Sequence, residues 1–448
     1  MELKNISTWK REFSLFFGEF MPYWSRSDAM FQAQDYLKGL LTSHQSKNCW
    51  NLAESTHQLG PQGPQRVLRT VKWNESLVKG KMQEIALKHL GEDTERGFII
   101  DESGFPKSGN CSVGVQRQYC GSVGKVTNCQ VGVFMGSISS KGFAFLDYRL
   151  YLPKSWNQES LRWEKAGIPC ETVFKTKPQL AVDMLEELRE QAIPINWVAT
   201  DSVYGNSPLL RAYLFEKTIP FVCGISSTTR LIEESETLVI VESQQGEEFE
   251  IQIPCLQSIS VTEYQKRFTA HKWRQFEPKS SYQWARSQLN IWDGSELRKV
   301  WLLVRRSLKK TNELAYFLCG SSPSVSLKKL SQRASSRWAI EQGFKEAKGE
   351  TGLGDYQVRG WIAWHRHIVL SLLAYLFLSL LKFQSLTLYQ EDDLAPFTVA
   401  EIHKLFLFLS PFYAMCSDHP LYWSWWRRKH NHKTIRWYLN HYSLKKVA

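Results

Sequence analysis

Two aspartates follow apolar stretches whose composition predicts β-strands. The stretch GFIID ends in Asp101, and the stretch INWVATD ends in Asp201. Because helical crossovers bring strand ends to one edge of a sheet, we expect these two carboxylates to meet there. They repel each other unless a divalent cation lies between them, and Mg²⁺ prefers one or two carboxylates together with water and phosphate oxygens. The pair therefore predicts a magnesium site.

A third carboxylate, Glu341, lies in the stretch WAIEQGFKEAK directly after Arg337. On a helix of about 100° per residue, Arg337 and Lys345 each lie about 40° from Glu341. Lys348 lies about 20° from it, so all four side chains share one face. A third acid allows two metal ions, roughly 3.5 to 4 Å apart, to act on the attacking and the leaving oxygen. The neighbouring cations are then suited to bind phosphates.

Simpler explanations of the same residues stay open. An Arg/Glu/Lys ladder on a helix is often only a solvated face with i,i+4 ion pairs. An aspartate after a strand is often a turn or cap residue. On the same helix, Glu346 points about 140° away from Glu341 and Glu350 points to the opposite side, so neither can replace it. The conjunction of three acids is what favours a site.

The segments around the acids predict a mixed α/β protein. Residues 1–95 predict a domain of short helices that carry cations. Residues 96–225 predict the order strand, strand, strand, helix, strand, helix, strand, which is that of an RNase H-like (retroviral integrase-like) core. The patterns concerned are GFIID, CQVGVFMGSIS, GFAFLDYRLYLP, PQLAVDMLEELREQA, INWVATD, NSPLLRAYLFEKT and PFVCGIS.

The second half of the chain predicts three further parts. Residues 226–320 predict a β-rich insertion, in which ETLVIVES, EEFEIQIP, KVWLLVRRS and ELAYFLCGS are separated by polar turns. Residues 321–385 predict the second part of the core, with the Glu341 helix, and residues 386–448 predict a helical C-terminal region rich in Trp and basic residues. The apolar stretch from Ile368 to Leu381, about 14 residues, is shorter than the roughly 20 that a membrane span needs. It predicts a buried core helix.

Composition narrows the class of partner and the compartment. The 448-residue chain has a formal net charge of +12 at pH 7, which favours nucleic acid or an anionic membrane as partner. Its nine cysteines contain no C-x-x-C pair, which indicates neither a zinc ribbon nor a disulfide framework. The first residues, MELKNISTWKREF, lack the apolar core of a signal peptide. A reducing cytoplasm fits these features best.

Three stretches resemble a known family. FIIDESGFPKSG, WVATDSVYGNSPLLRAYL and SSRWAIEQGFKEAKGETGLGDYQVRGWIAWHRHI are similar to DDE transposases of bacterial insertion sequences, in particular insertion-sequence family 701 and its relatives in family 4. The family signature Tyr-x2-Arg-x3-Glu-x6-Lys maps to Arg337, Glu341 and Lys348. Ala334 occupies the Tyr position, whose side chain holds DNA-end phosphates in relatives.

The resemblance implies an activity, a cofactor and partners. It makes Asp101, Asp201 and Glu341 catalytic ligands of two Mg²⁺ ions, for which Mn²⁺ can substitute. Cut-and-paste transposition is the implied reaction: water cleaves DNA at the element ends, and the freed 3′-hydroxyl attacks target DNA. The partners are then terminal inverted repeats, target DNA and a second copy in a homodimeric synapse, with no membrane, and the protein is cytoplasmic and nucleoid-associated. Alternatives are an RNase H-like DNA nuclease without strand transfer and a domesticated, catalytically silent DNA-binding protein.

Further DNA contacts are expected outside the acidic site. Relatives stack a Trp of the insertion on a flipped base, and Trp273, Trp284, Trp292 and Trp301 are the candidates. The cationic N-terminal helices and the tail WSWWRRKHNHK are expected to hold DNA, although the tail could also be a docking surface and Tyr204 could equally pack in the core. The residues predicted to contact DNA are Arg337, Lys345, Lys348, Tyr204, Lys47, Arg66, Arg69, Lys72, Trp301, Arg427 and Arg428.

Overall fold

The computed structural model of the protein describes residues 8–90, 95–158, 160–244, 247–277, 280–293, 296–310, 313–322, 324–388, 397–409, 422, 425, 426, 428–430, 432–434, 436 and 437. The chain divides into two compact units. The helical unit comprises Met1–Val78, Glu346–Val358 and Ile362–Ala448, and the sheet unit comprises Lys79–Lys345 and Arg359–Trp361. The domain limits at residues 95, 225, 320 and 385 stay predictions.

Helices occupy the N-terminal part of the described chain, as predicted. They are α1 (Trp9–Gly18), α2 (Ser27–Thr42), α3 (Cys49–Ser55), α4 (Gln62–Arg69) and α5 (Glu75–Leu90). The start of α3 is fixed by Asn48, whose side chain accepts hydrogen bonds from the backbone amides of Trp50 and Asn51. Such a cap satisfies amide groups that have no partner within the helix.

The sheet unit contains the predicted alternation of strands and helices. Its elements from residue 97 onward are β1 (Gly97–Pro106), β2 (Gln116–Cys120), β3 (Lys125–Ser139), β4 (Gly142–Tyr151), α6 (Ser160–Ala166), α7 (Lys177–Glu190), β5 (Val198–Thr200), α8 (Ser202–Gly205), α9 (Pro208–Glu216) and β6 (Phe221–Ile225). The strands expected at β1, β3, β4, β5 and β6 are present. β2 was not predicted, because its sequence QRQYC is polar and only its last residue is buried.

The segment predicted as a β-rich insertion continues the same sheet. It contains β7 (Arg230–Gln244), β8 (Glu247–Ser260), α10 (Val261–Gln265), β9 (Tyr282–Trp292), β10 (Leu297–Ser307) and β11 (Leu314–Gly320). The strand order is β2-β3-β1-β5-β6-β11-β10-β9-β7-β8, and β4 pairs with β3. β11 joins β6 by antiparallel pairing. β9 was not predicted, because polar residues interrupt its apolar pattern.

The remaining elements are helices α11 (Leu327–Ser336), α12 (Trp338–Thr351), α13 (Trp361–Leu388) and α14 (Val399–Leu409). By length and composition α13 could cross a membrane, but 78% of its most apolar window is buried inside the protein. Its His367 illustrates this, because the ring nitrogens lie 2.8 Å from the Tyr36 hydroxyl and 3.0 Å from the Gly352 carbonyl oxygen. Such burial is typical of the core helix that the sequence predicts.

Candidate active site

Asp101 and Asp201 occupy matching positions on adjacent strands. β1 and β5 run parallel and are paired over three residues, of which the last pair is Ile100 with Thr200. The residue after each of these is an aspartate, Asp101 within β1 and Asp201 directly after β5, and neighbouring strands lie about 4.8 Å apart. The structure therefore brings the two acids together. The expectation that a strand ends at Asp101 was wrong, because β1 continues to Pro106 in antiparallel pairing with β3.

The carboxylate of Asp201 is oriented by the helix that follows it. Asp201 caps α8, and its Oδ1 accepts hydrogen bonds from the amides of Val203 at 2.9 Å and Tyr204 at 3.4 Å. The chain can turn this sharply because Gly205 has no side chain. A Cβ at Gly205 would lie 1.9 Å from the carbonyl oxygen of Gly224 in β6. The glycine thus lets α8 approach the sheet closely enough to hold the acid at its edge.

Arg337 connects the third acid to the first. Its Nη1 lies 3.1 Å from Oδ2 of Asp101, and its Nη2 lies 2.5 Å from Oε1 of Glu341. The prediction that Arg337 and Glu341 share a helical face is confirmed by this i,i+4 pair. Glu341 is the most open of the three acids, with 45% of its side chain exposed, whereas Asp101 is buried. One guanidinium therefore bridges Asp101 and Glu341, and its charge also acts on Asp201.

Aromatic packing fixes the start of α12 on the sheet. The ring of Phe344 lies 5.2 Å from that of Phe134 in β3 and 5.3 Å from that of Phe145 in β4. Gly343 allows this contact, because a Cβ there would lie 2.6 Å from the ring of Phe143. The helix turn that follows Glu341 is thus anchored in the hydrophobic core, which positions the acid with little conformational freedom.

The acids are only partly compensated by Arg337. Burial raises the pKa of Asp101 to about 7, and the charges of Asp201 and Glu341 act in the same direction while Arg337 opposes them. Burial also raises the pKa of Asp201, and the charge of Glu102 adds to it against the hydrogen bond from the Tyr204 amide and the charge of Arg337. Two neighbouring carboxylates that resist ionisation are a setting in which a further cation is stabilised.

This donor set fits a hard divalent cation, since it consists of carboxylate oxygens with excess negative charge. Arg337 stands between Asp101 and Glu341, however, and among the described residues no group of three His, Cys, Asp or Glu side chains is spaced to hold a metal ion. The predicted Mg²⁺ ions therefore stay a prediction. Binding them would require Arg337 to give up at least one of its two carboxylate partners.

Sequence reasoning missed a fourth acid at this site. Glu102 follows Asp101 directly, its Oε1 lies 2.6 Å from Nζ of Lys177, and its Oε2 is buried with no hydrogen-bond partner among the described residues. Its charge raises the pKa of Asp201. Successive residues of a strand point to opposite faces, so the pattern gave no reason to place Glu102 near Asp201. The acid that directly follows Asp101 in the DES sequence of β1 was the available signal.

Tyr204 does not have the predicted DNA-contacting position. Its side chain is fully buried, and burial together with the charges of Glu102, Asp101 and Asp201 raises the pKa of its hydroxyl well above its usual range. The α8 turn folds the ring into the core. The alternative of core packing is correct.

The insertion tryptophans differ strongly in exposure. Trp273 and Trp284 are buried. Trp301 is half-buried, and the guanidinium of Arg286 lies 4.0 Å from its ring centroid. Trp292, at the end of β9, is 56% exposed. Of the four candidates, Trp292 is therefore the most accessible to a DNA base, and it is more exposed than Trp301, which was among the residues predicted to contact DNA.

The lysines and arginines predicted to contact DNA also differ in their exposure to solvent. Lys345 is exposed one turn after Glu341, whereas Lys348 is half-buried and belongs to the helical unit. In that unit Arg66, Arg69, Lys72 and Arg428 are exposed, and Arg427 lies outside the described residues. Lys47 is buried, and its Nζ donates to the Ser43 carbonyl oxygen at 3.2 Å. The expectation that Lys47 reaches DNA was therefore wrong.

The chain is similar in sequence to one family of proteins and to a known relative. A family model described as DDE superfamily endonuclease matches residues 19–276, more than half of the chain. The probable transposase for insertion sequence element IS701 of Microchaete diplosiphon is 28% identical over 179 residues. That similarity covers 40% of this chain, and the chain spans 44% of the length of that relative. The matched family range includes Asp101 and Asp201 and ends before Glu341.

A solved structure is also similar. The cryo-EM structure of a piggyBac transposase synaptic complex with hairpin DNA matches 85% of this chain and 70% of that chain. The TM-score is 0.44 and the sequence identity is 9%.

Proposed function

The chain belongs to the DDE superfamily of endonucleases, and on that basis we propose that it is a transposase that cleaves DNA at the ends of an insertion sequence and joins the freed 3′-hydroxyl to target DNA. The family match confirms the resemblance at the level of the superfamily, and it covers the first two of the three motif stretches but not the third, which contains Glu341. Two contacts support the proposed activity. Asp101 and Asp201 follow paired residues of neighbouring parallel strands, and Arg337 bridges Asp101 to Glu341.

We also infer that the sheet unit has an RNase H-like core. β1 is antiparallel to β3 and parallel to β5, and β5 is parallel to β6. This arrangement supports the inference, because the first and second acids then follow neighbouring parallel segments. The β-rich insertion lies between Asp201 and the Glu341 helix in the chain, so the third acid is distant in sequence from the first two.

In this proposal Asp101, Asp201 and Glu341 would hold two Mg²⁺ ions, which Mn²⁺ ions could replace. Bound ions of this kind activate an attacking oxygen and stabilise a leaving oxygen on the phosphate. The chain supplies the orientation. The cap on α8 fixes one acid, and the aromatic anchor of α12 fixes another, so neither has to be ordered when DNA binds.

Arg337 has two roles in the proposal. Without a metal it offsets the charge of Asp101 and Glu341, which lowers the cost of burying the first. When a cation binds those acids, the guanidinium becomes free to donate two parallel hydrogen bonds to a phosphate oxygen pair. Lys345, exposed on the next turn, is placed to neutralise a neighbouring phosphate. Charge neutralisation of this kind supplies much of the catalysis of phosphoryl transfer.

The remaining partners follow from the same proposal. Residues 1–95 would recognise the terminal inverted repeats through exposed cations such as Arg66, Arg69 and Lys72. Trp292 would stack on a displaced base, and Arg428 would hold the DNA backbone from the C-terminal region. Two copies would pair the two element ends in a synapse, in the bacterial cytoplasm.

The proposal is tested on a plasmid that carries the coding region with its genomic flanks. We expect the purified chain to cut the flanks only with Mg²⁺ or Mn²⁺, and to join a labelled 3′ end to a second plasmid. Asp201→Ala and Glu341→Ala should abolish cutting and keep DNA binding. Glu190→Ala, which removes an exposed acid at the end of α7, is the matched control and should cut normally. Cutting without joining would instead support a nuclease, and binding without cutting would support a silent DNA-binding protein.

A further inference from the structure

A cleft of about 530 Å³ lies on the sheet unit beside α11. One wall is α11 itself, with Lys328, Lys329 and Arg333, and the facing wall is the end of β3. Trp197 forms part of the lining and packs closely on β1, since a Cβ at Gly97 would lie 2.0 Å from its ring. The cleft therefore has an ordered lining, and none of its residues has a role in the chemistry proposed for the three acids.

The lining is suited to anions. Three cations, Lys328, Lys329 and Arg333, line the cleft together with a single carboxylate, that of Glu95. The guanidinium of Arg333 lies 5.5 Å from the ring centroid of Trp197, which orients it. Its Nε is buried without a hydrogen-bond partner among the described residues. A buried donor of this kind is costly unless an acceptor is supplied.

Glu95 forms only weak ion pairs with the cations of the cleft. It lies 2.9 Å from Nζ of Lys329 and 4.0 Å from Nη2 of Arg333, and 58% of its side chain is exposed. Exposed ion pairs contribute about 0–1 kcal/mol. A phosphate that brings its own charge can therefore displace Glu95 at little cost.

A line of cations along α11 leads from the cleft to the acids. Lys329, Arg333 and Arg337 are spaced at i, i+4 and i+8, so they form one stripe along α11. Arg337 retains helical backbone angles after the helix ends, and it contacts Asp101. Eight residues of helix span about 12 Å. The axial rise of duplex DNA is about 3.4 Å per nucleotide, so with α11 running along the DNA axis that distance corresponds to about three to four nucleotides.

We propose that this cleft binds backbone phosphates of the DNA strand about three to four nucleotides from the phosphate that is cut. The inference rests on the proposed function, because it assumes that DNA lies at the acids. Lys328, Lys329 and Arg333 bind the phosphates. In the free protein the carboxylate of Glu95 lies near Lys329 and Arg333 instead. DNA is favoured over a small anion because Lys329 and Arg333 form one line with Arg337, which contacts Asp101.

The test measures DNA affinity against salt concentration, without divalent cations, for the wild type and for Lys328→Gln/Lys329→Gln. Each lost phosphate contact on duplex DNA reduces the slope of log K against log salt by about 0.9, so the double variant should lose about 1.8. Lys310→Gln, which removes an exposed lysine paired with Glu313 at 3.8 Å, is the matched control and should keep the slope. Glu95→Gln should bind DNA more tightly than the wild type, a gain that damaged folding cannot produce.

A neutral methylphosphonate placed at successive positions then locates the contact. At about three to four nucleotides from the cut, it should weaken wild-type binding and leave the double variant unaffected. An unchanged slope, or equal losses in both proteins at every position, would overturn the inference while DNA cutting still supports the proposed function. Orthophosphate that binds the wild type but not the double variant, while both proteins bind DNA with the same slope, would also overturn it, in favour of a small-anion site. A wild-type chain that binds no DNA would overturn both proposals.

Discussion

Replacing Arg337 by Gln removes the guanidinium that joins two of the acids. The bond to Asp101 is 3.1 Å long and reaches a buried carboxylate, and hydrogen bonds to charged groups contribute about 1.5–3 kcal/mol. The contact with Glu341 is shorter, but that side chain is 45% exposed, so solvent screening leaves roughly 0.2–1 kcal/mol. We therefore expect Arg337→Gln to lower the free energy of unfolding of the sheet unit by about 2–4 kcal/mol without divalent cations.

Mg²⁺ should reverse part of this loss. If the cation and Arg337 compete for the same carboxylates, the variant should bind Mg²⁺ more tightly than the wild type, and a tenfold gain corresponds to about 1.4 kcal/mol. Urea unfolding followed by tryptophan fluorescence, with and without excess Mg²⁺, measures both effects. The reasoning requires a larger stabilisation by Mg²⁺ in the variant than in the wild type.

The control for this experiment is Arg189→Gln. Arg189 pairs with Glu186 at 3.1 Å, but both side chains are more than a third exposed, so its loss should change stability by less than about 0.5 kcal/mol with or without metal. Equal stabilisation of wild type and Arg337→Gln by Mg²⁺ would refute competition. A metal effect that appears in Arg189→Gln as well would show that the ion acts elsewhere.

Three further predictions, two of them with a comparison variant, test single parts of the structure. Gly205→Ala should destabilise the sheet unit by more than about 2 kcal/mol in urea unfolding, because its Cβ would lie 1.9 Å from a carbonyl oxygen, whereas Gly80→Ala, with open space around it, should stabilise α5 by about 0.5–1 kcal/mol. Burial would raise the pKa of Asp147, but the charges of Arg149 and Lys79 hold it below its usual range; its stabilisation is therefore present above about pH 4 and is lost as pH falls through the lower folded-state pKa. Asp147→Asn should thus cost about 3–5 kcal/mol at pH 7 and much less at acidic pH, and a cost independent of pH would contradict the ion pair. Trp292→Ala should lower affinity for DNA with unpaired bases by about 1–3 kcal/mol and leave the melting temperature unchanged, whereas Trp284→Ala should cost about 3–5 kcal/mol of stability.

Local patterns predicted the parts of the site that depend on neighbours in sequence. Arg337 and Glu341 pair because an i,i+4 spacing on a helix brings side chains together without help from other elements. Glu346 faces away from Glu341 as predicted, and its Oε2 accepts a hydrogen bond from the Tyr375 hydroxyl at 3.0 Å. The strands at GFIID and INWVATD were likewise readable, since short apolar runs of branched residues favour extended backbone.

Predictions about exposure failed where the fold brings distant segments over a side chain. Tyr204 was placed near DNA because it follows Asp201, but the turn of α8 buries it. Lys47 was counted among surface cations, although the helical unit closes over it. The ring of Trp301 is covered by the guanidinium of Arg286, which lies 4.0 Å from its centroid. A residue type and its neighbours in sequence do not specify which surface is covered by another part of the chain.

The sequence by itself determined which acids are available, which cations share a helical face with Glu341, and where most strands lie, because these depend on interactions within a few residues. Only the tertiary structure decided that Ile100 pairs with Thr200 and so makes two acids one hundred residues apart into neighbours. It also decided that β7 to β11 extend the same sheet. Strand partners and register are selected by packing over the whole chain, and the order of residues within one strand does not contain that choice.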